Sequence, residues 1–482
     1  MSSVVTPGPA ASADALAGGS TAYRWRWVIL AVVLVAEIMD LLDSTVITIA
    51  APTIRADLGG STAVMQWWAA GYTLAFGVFL VVGGRLGDVL GRRRLFVLGM
   101  SGFTLCSAAC ALAPSAGVLI VFRVLQGACG AVLIPQGLGI LRHVFPPKEM
   151  GAAFGAFGPI MGIAAIGGPI LAGWLSDANL LDTGWRMIFL VNLPLGVAGV
   201  LGALRFVPEN ASPRKVRLDV TGIALMAAAS FCIIYPLVQG RELGWPLWIF
   251  GMLAGGVALL GAFALAERRS HGSPLIEPGL LSNRAFTTGL LTGVVFFTAF
   301  GGLVMVFSMF TQLGLHFTPL HAGLTMAPMS LGAAVGAASA YGLMPRFGRG
   351  VLQAGLLLMV PAFAALALVV HHAGTGTGSW DMAAPLFVAG IGMGWVFGSM
   401  FNIILAGVQD HEVGSASGTL SAIQQLGNAT GVAVLATIFF SLLDHGHTSA
   451  TAIVRTLLVA TALIVASFAA SFLLPKDARM ET

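Results

Sequence analysis

The sequence contains few charged residues. Asp, Glu, Lys and Arg together make up 9% of its 482 residues, whereas an ordinary soluble domain carries about 25%. Hydrophobic residues make up 57% of the chain, and its mean hydropathy is +0.91. Because a soluble fold cannot bury that much apolar surface, the composition excludes a soluble globular protein and favours a membrane protein.

The sequence also lacks the motifs that an ATP-driven pump, a metal site or an enzyme active site would need. The chain has three lysines and no GxxxxGK[ST] phosphate loop, which disfavours an ATP-driven pump. Its four cysteines lie in apolar runs, without the paired spacing of a metal site or of a disulfide framework. The histidines predicted at the outer face are scattered over three loops, with no ladder of carboxylates beside them. We therefore expect no enzyme, no cofactor and no metal site.

The positive charge is not concentrated in one region. The net charge is only +4 and the basic residues are dispersed between apolar segments, so nucleic-acid binding has no support. The first 20 residues lack a basic region followed by an apolar one, so no cleaved signal peptide is expected.

The chain does contain long apolar runs, of the ~20 residues that cross a hydrocarbon core. Fourteen such runs can be counted, and the connections between them are too short to hold another. If the N-terminus is cytoplasmic, 19 of the 24 Lys and Arg residues fall on the cytoplasmic side and four on the other. This distribution follows the positive-inside rule. An even number of spans also returns the C-terminus to the cytoplasm.

The two parts of the chain carry similar strings at similar places. GRLGDVLGRRR follows the second run and GLMPRFGR follows the tenth, while KEMGAAFGAFG begins the fifth and HEVGSASGTLS the thirteenth. Such repeats predict two six-helix bundles with an inserted helix pair. The predicted domains are a disordered cytoplasmic tail at 1–22, an N-terminal six-helix bundle at 23–210, an inserted two-helix pair at 211–270, a C-terminal six-helix bundle at 271–475 and a cytoplasmic tail at 476–482.

GRLGDVLGRRR is the most specific string in the chain. Its glycines allow two helix ends to approach, its Asp can cap a helix, and its arginines face anionic lipid. The order of these residues is too regular for an ordinary positive loop. The string resembles the signature loop of the major facilitator superfamily. That resemblance implies a conformational latch between the two halves, formed by Gly84, Asp88, Gly91, Arg92 and Arg93.

Other strings narrow the resemblance: MDLLDSTVITIAAPTI (39–54), RVLQGACGAVLIPQG (123–137), IGGPILAGW (166–174) and WRMIFLVNLPLG (185–196). With fourteen runs, they are similar to the bacterial fourteen-span drug:proton antiporter family. The resemblance implies an all-α major facilitator fold in the cytoplasmic membrane. It also implies export of drug-like or antibiotic amphipathic molecules by alternating access. Uptake of a nutrient or flipping of a lipid on the same fold remains the alternative. The implied partners are a small amphipathic substrate, protons and membrane lipids, for a monomer that uses the proton gradient and no cofactor.

The fifth run is rich in glycine and contains two prolines. Its glycines give a surface nearly free of side chains for helix packing, and its prolines interrupt the backbone hydrogen bonds. A tight structural interface and a hinge are both compatible with this pattern. In the resembled family this stretch distinguishes exporters from importers. The residues concerned are Gly158, Pro159, Gly162, Gly167, Gly168, Pro169 and Gly173.

Ionisable side chains within a membrane are costly and indicate function. The spans contain Glu37, Asp40 and Asp43 in the first run and Arg123 in the fourth. At ~1.5 Å per residue, Asp43 and Arg123 lie at one depth and can pair. The pair is either a switch for proton coupling or a permanent bridge between two helices. Glu37 and Asp40 have no basic partner at their depth, and they are interpreted as proton carriers or cation-recognition groups.

The second half has no Asp or Glu in its spans and offers amide and aromatic side chains instead. Aromatic residues in spans more often face lipid or the core, whereas an amide is costly in lipid. A cavity lined by amide and aromatic side chains suits the loose recognition of bulky amphipathic molecules. The candidate cavity residues are Gln126, Phe300, Asn402, Gln424, Gln425 and Asn428.

Overall fold

The computed structural model describes residues 23–146, 149, 167–168, 170–177, 183–209, 220–269, 278–405, 408 and 413–474. Within these ranges the chain is helical and contains no strand. The described ranges hold thirteen long helices: α1 (Arg26–Leu58), α2 (Thr62–Leu90), α3 (Arg92–Ala111), α4 (Ala116–Val144), α5 (Asn192–Phe206), α6 (Val220–Gln239), α7 (Leu247–Arg269), α8 (Arg284–Met309), α9 (Pro319–Phe347), α10 (Arg349–Ala373), α11 (Ser379–Leu405), α12 (Val413–Asp444) and α13 (Ser449–Ser471).

Among the described residues, eleven helices are long and apolar enough to cross a membrane. The prediction of an all-α membrane protein is therefore confirmed at this level. Two further helices, α1 and α9, are 33 and 29 residues long. Four carboxylates lower the hydropathy of α1, and α9 is rich in Gly, Ala and Ser. The fifth predicted run, at 152–175, lies mostly outside the described residues. The count of fourteen therefore stays a prediction.

The helices pack in two sets that repeat one pattern. In the first set, α4 packs against α2 and α3, and α5 packs against α1 and α3. In the second set, α11 packs against α9 and α10, and α13 packs against α8 and α10. Small residues allow the helices to approach closely. A Cβ added at Gly127 would lie 2.3 Å from the Tyr72 carbonyl oxygen, and one at Gly390 would lie 2.1 Å from that of Met329.

In both sets the repeated string places a glycine with positive φ between two helices. Gly91, with φ 93°, separates α2 from α3, and Gly348, with φ 51°, separates α9 from α10. Left-handed backbone of this kind is accessible to glycine at little cost, and it ends a helix abruptly. A one-residue break therefore lets two long helices run antiparallel at the same place in each set.

α6 lies at the seam between the two sets. α6 packs against α7, and also against α2 of the first set and α12 of the second. The two sets meet mainly along α2 and α12, with smaller contacts from α1 to α8 and α9. The predicted domain boundaries are not tested by these contacts and stay predictions.

Candidate functional site

Asp43 of α1 accepts hydrogen bonds from two other helices. From α4, the Arg123 guanidinium binds Asp43 Oδ2, and Gln126 Nε2 donates to Oδ1 at 2.9 Å. From α5, Asn192 Nδ2 donates to the same Oδ1 at 3.2 Å. Asp43 is 3% exposed and Arg123 is fully buried. The structure thus brings together the two residues whose depth predicted a pair.

The Arg123 guanidinium is held by more than the carboxylate. Its Nε donates to the Trp68 carbonyl at 3.1 Å, and NH1 also donates to Gln126 Oε1 at 2.9 Å. Its NH2 is buried and has no acceptor among the described residues. Because burying two charges costs several kcal/mol per ion, a pair with an unsatisfied donor is weak evidence for a purely stabilising role. The arrangement suits a group whose contacts change.

Asp40 contacts a residue that the sequence interpretation missed. The hydroxyl of Tyr72 on α2 donates to Asp40 Oδ1. The Tyr72 ring also lies 4.2 Å from Arg123 Cζ, within cation–π distance. The available signal was chemical, because a phenol buried in an apolar run needs a hydrogen-bond partner. We call Asp40, Asp43, Tyr72, Arg123, Gln126 and Asn192 the α1 cluster.

Asn192 was also missed, although its motif was recognised. Besides Asp43, its Nδ2 donates to Ser107 Oγ of α3 at 2.9 Å, and Ser107 Oγ donates to the Phe189 carbonyl at 3.1 Å. The α1 cluster therefore extends over the described helices α1 to α5. Glu37, by contrast, is half-buried and has no hydrogen-bond partner within the described ranges.

The predicted latch residues lie where α2 ends and α3 begins. Arg92 packs into the space that Gly139 leaves on α4, since a Cβ there would be 1.8 Å from Arg92 NH1. Arg93 donates to the Leu204 carbonyl of α5. Gly84 lies against Pro135 of α4, at 3.8 Å from an added Cβ. The side chain of Asp88 lies outside the described part of the structure.

The glycine-proline run is described only near its end. A Cβ at Gly168 would lie 2.9 Å from Thr45 Oγ1 of α1, and one at Gly167 would meet open space. A Cβ at Gly173 would lie 2.5 Å from Leu320 Cα, at the start of α9 in the other half. Gly173 thus lies at a close contact between the halves. The predicted residues Gly158, Pro159, Gly162 and Pro169 lie outside the described residues.

The candidate cavity residues do not form one group. Gln126 belongs to the α1 cluster. Phe300 is half-buried in an aromatic group, 6.3 Å from the Phe296 ring centroid and 5.8 Å from that of Phe397. On α12, Gln424, Gln425 and Asn428 are half-buried. Gln425 packs on Gly77 of α2, and Asn428 has a buried Oδ1 with no described partner. The Asn402 side chain lies outside the described part.

The halves are joined near the α1–α2 connection, which the sequence predicts at the outer face; we call this the α1–α2 end. Pro52 has no N–H, so the Thr48 carbonyl lacks its usual partner within α1. Ser308 Oγ of α8 donates to that carbonyl at 2.7 Å. Gln312, in a π-helical turn at Phe310–Gly314, donates to the Ile49 carbonyl at 2.7 Å.

Comparison with known proteins gives the family. The family model described as "Major Facilitator Superfamily" matches residues 33–432. The chain belongs to the Major Facilitator Superfamily. This facilitator is therefore a transporter and not an enzyme. Together with the membrane helices and the bacterial relatives, the family makes it a multi-pass protein of the bacterial cytoplasmic membrane.

Several curated proteins resemble this facilitator over most of its length. It is 47% identical over 447 residues to a probable actinorhodin transporter of Streptomyces coelicolor, covering 92% of this chain and 77% of the relative. It is 32% identical to a tetracenomycin C resistance and export protein of Streptomyces glaucescens, covering 86% and 76%.

Solved structures agree on the fold. A bacterial homolog of the human lysosomal transporter Spinster aligns with a TM-score of 0.66 at 17% identity, covering 95% of this chain and 99% of that chain. An auto-inhibited peptide transporter of the POT family aligns with a TM-score of 0.68 at 15% identity, covering 92% and 96%. At these identities the likeness concerns the fold alone.

Proposed function

We propose that this facilitator is a proton-coupled antiporter that exports antibiotic-like amphipathic molecules by alternating access. The observation that carries the proposal is the α1 cluster, in which the buried Arg123 binds Asp43 and lies over the Tyr72 ring, while the Tyr72 hydroxyl donates to Asp40 of the same helix. Ionisable groups at such positions mark ion and proton paths in transporters. The relatives support the substrate class, because their names describe antibiotic transport, export and resistance.

We further propose fourteen spans in two six-helix bundles with α6 and α7 inserted between them, and a monomer with both termini in the cytoplasm. Thirteen long helices in the described ranges support the count. The 19-to-4 division of Lys and Arg residues supports the orientation. The repeated packing of the two sets supports the division at 23–210, 211–270 and 271–475.

The α1 cluster supports specific roles in coupling. Asp43 and Arg123 act as the switch, because substrate or conformation can change the contact between them. Asp40 acts as a proton carrier beside them. Glu37 lacks a described partner, so it is free either to carry a proton or to bind a cationic substrate. The proton gradient is the energy source and no cofactor is needed.

Transport into everted vesicles tests the function. Vesicles from an efflux-deficient host that expresses the protein are given a panel of antibiotics, and an inward proton gradient is imposed. We expect uncoupler-sensitive accumulation of at least one compound, and none with Asp43→Asn at equal membrane abundance. Accumulation in right-side-out vesicles instead would show uptake. Transfer of a labelled phospholipid without any antibiotic transport would show lipid flipping.

A further inference from the structure

Tyr72 lies between the two acidic residues of the α1 cluster. Its hydroxyl donates to Asp40, and its ring contacts the guanidinium that binds Asp43. The Tyr72 side chain is fully buried, so bulk water does not compete for its hydrogen bond. Tyr72 therefore contacts both Asp40 and the cation that holds Asp43.

The charges of the cluster balance only when one proton is present. Asp40, Asp43 and Arg123 carry a net −1 with both carboxyl groups ionised, zero with one proton, and +1 with two. A net charge is costly in a dry interior, so the state with one proton is favoured. In the structure Asp43 accepts one guanidinium and two amide N–H groups, as an ionised carboxylate does. Asp40 accepts the Tyr72 hydroxyl on Oδ1, which leaves Oδ2 for the proton.

We propose that Tyr72 is a positioning residue that links Asp40 to the Arg123–Asp43 pair, so that the cluster takes up and releases one proton as a unit. The inference rests on the proposed proton coupling. When the proton sits on Asp43 instead, the ionised Asp40 is held by the Tyr72 hydroxyl, and the Tyr72 ring separates it from the cation. The total charge is zero in both arrangements.

A titration of the cluster also involves the groups that face it. On α1, Glu37 lies one turn before Asp40. On α3, the Cys110 thiol donates to Gln126 Oε1 at 3.8 Å. The described parts of α2, α4 and α5 contribute Tyr72, Arg123 and the uncharged Asn192.

Infrared difference spectra of the purified protein, recorded against pH, test the link without a substrate. The C=O stretch of a neutral carboxyl group reports its protonation, and Asp40→Asn assigns the band. We expect Tyr72→Phe, which keeps the ring over Arg123, to move the midpoint of this band to higher pH by at least tenfold in proton concentration. The reason is that the ionised Asp40 loses its donor. In the Asp40→Asn background, Tyr72→Phe has no further effect on the spectrum. Tyr235→Phe, at a half-buried position on α6, is the matched control.

A midpoint in Tyr72→Phe within threefold of wild type would overturn the link. An effect of Tyr72→Phe on the spectrum that persists in the Asp40→Asn background would also overturn the link, because that effect could not act through Asp40. If the wild type shows no titrating carboxyl band that Asp40→Asn or Asp43→Asn removes, the proposed proton coupling itself fails.

The connection between α6 and α7 is a short turn at residues 240–246. This turn is ordered by its own hydrogen bonds: Trp245 N–H donates to the Gly240 carbonyl at 2.8 Å, and Leu243 N–H donates to that of Gln239 at 3.0 Å. Trp245 has φ 54°, a left-handed conformation that is strained for a bulky residue and persists only where its surroundings hold it. The turn is therefore preorganised.

The turn contacts the first half through Glu242. The Glu242 carboxylate accepts the N–H of Ala63, in the first turn of α2, at 3.0 Å. Ser61, at the N-cap of α2, makes no capping hydrogen bond with its own side chain. Glu242 therefore supplies the acceptor, and its charge complements the helix dipole.

The same turn contacts the second half through Arg241. Its guanidinium binds Asp444, at the end of α12, at 2.5 Å, and lies 5.4 Å from the Phe440 ring centroid. Thr437 Oγ1 of α12 also donates to the Leu237 carbonyl in the last turn of α6, at 2.8 Å. One turn thus joins the start of α2 to the end of α12.

We infer that the α6–α7 turn is a clasp that stabilises the closed α1–α2 end. Opening that end separates α2 from α12, so either the Glu242 cap or the Arg241–Asp444 ion pair must break. The inserted pair then shifts the balance between the two states of the transporter. This inference assumes alternating access and does not depend on proton coupling.

Spin-label distances across the α1–α2 end test the clasp in the full-length protein, with the native cysteines replaced. Labels at Gly117→Cys on α4 and Gly376→Cys after α10 suit the purpose, because a Cβ at either glycine has open space. We expect Arg241→Ala or Asp444→Ala to raise the fraction of long, open distances at least threefold. The exchange of the two charges, Arg241→Asp with Asp444→Arg, should restore the wild-type distribution.

The matched control is Arg186→Ala, because Arg186 pairs with Asp57 within the first half at 2.7 Å and should not change the distance. Thr437→Val serves as a second variant if the charge variants do not give monodisperse protein. Distributions equal to wild type in Arg241→Ala, Asp444→Ala and Thr437→Val would overturn the clasp. An unchanged distribution alongside measurable export would leave the proposed function intact.

Discussion

The two partners of the buried ion pair should differ in what their removal costs. Asp43→Leu leaves Arg123 buried with only the Trp68 and Gln126 oxygens. Arginine cannot give up its proton in a protein, so its charge stays. We expect a loss of about 3–5 kcal/mol in the free energy of unfolding, the usual cost of breaking a buried pair.

Arg123→Leu should behave differently, because Asp43 can bind a proton and become neutral. The folded variant then holds one proton more than its unfolded chain, whose carboxyl titrates near pH ~3.9. In this variant the stabilisation that comes from the extra proton is fully present below that pH. Above that pH, the free energy of unfolding falls by ~1.4 kcal/mol per pH unit. The loss in the free energy of unfolding of Arg123→Leu, relative to wild type, should therefore be about 3 kcal/mol smaller at pH 5 than at pH 7. The Gln126 and Asn192 amides keep Asp43 hydrogen-bonded in either form.

Urea unfolding in detergent micelles, followed by tryptophan fluorescence at both pH values, measures these differences. The double variant Asp43→Leu with Arg123→Met replaces both charges by apolar groups and should regain most of the lost stability, because such replacements are often neutral. Equal deficits for the two single variants at both pH values would refute the reasoning. A double variant as unstable as the sum of the singles would also contradict it.

Three further outcomes are expected. Asp88→Asn should insert normally but transport more slowly, which transport rates at equal membrane abundance will check; unchanged rates would contradict a latch. Gly173→Ala should open the α1–α2 end, because its Cβ would lie 2.5 Å from Leu320 Cα, and spin-label distances will show whether it does. The hydrogen bond from Trp185 and that from Arg186 hold the pKa of Asp57, at the C-terminal end of α1, below its usual range. Asp57→Asn should therefore lower the melting temperature at neutral pH and match wild type once the pH falls below the folded-state pKa.

Depth in the membrane could be predicted from the sequence, whereas rotation about a helix axis could not. Counting residues from the helix ends placed Asp43 and Arg123 at one level, because the rise per residue is constant. Whether Asp40 faces Tyr72 depends on how α1 and α2 are turned against each other. That angle is set by packing, for example by the glycine contact at Gly127. The Tyr72 contact was therefore out of reach, although a buried phenol signalled that some partner exists.

Contacts between residues far apart in the chain could not be predicted from the sequence, for a second reason. The Glu242 carboxylate lies 179 residues from the Ala63 amide that it caps, and Ser308 lies 260 residues from Thr48. No local pattern connects such positions. The one local signal at this contact is the proline at 52, which leaves the carbonyl at 48 without its helical partner.

The contacts from α8 to α1 have a consequence for sequence drift. Ser308 and Gln312 both donate to main-chain carbonyl oxygens of α1, at Thr48 and Ile49. Every amino acid supplies a carbonyl, so substitutions at 48 and 49 can accumulate without loss of these two bonds. Substitutions at 308 and 312 remove the donor and cannot. Position 48 of α1 can thus vary, while its partner Ser308 in α8 is constrained.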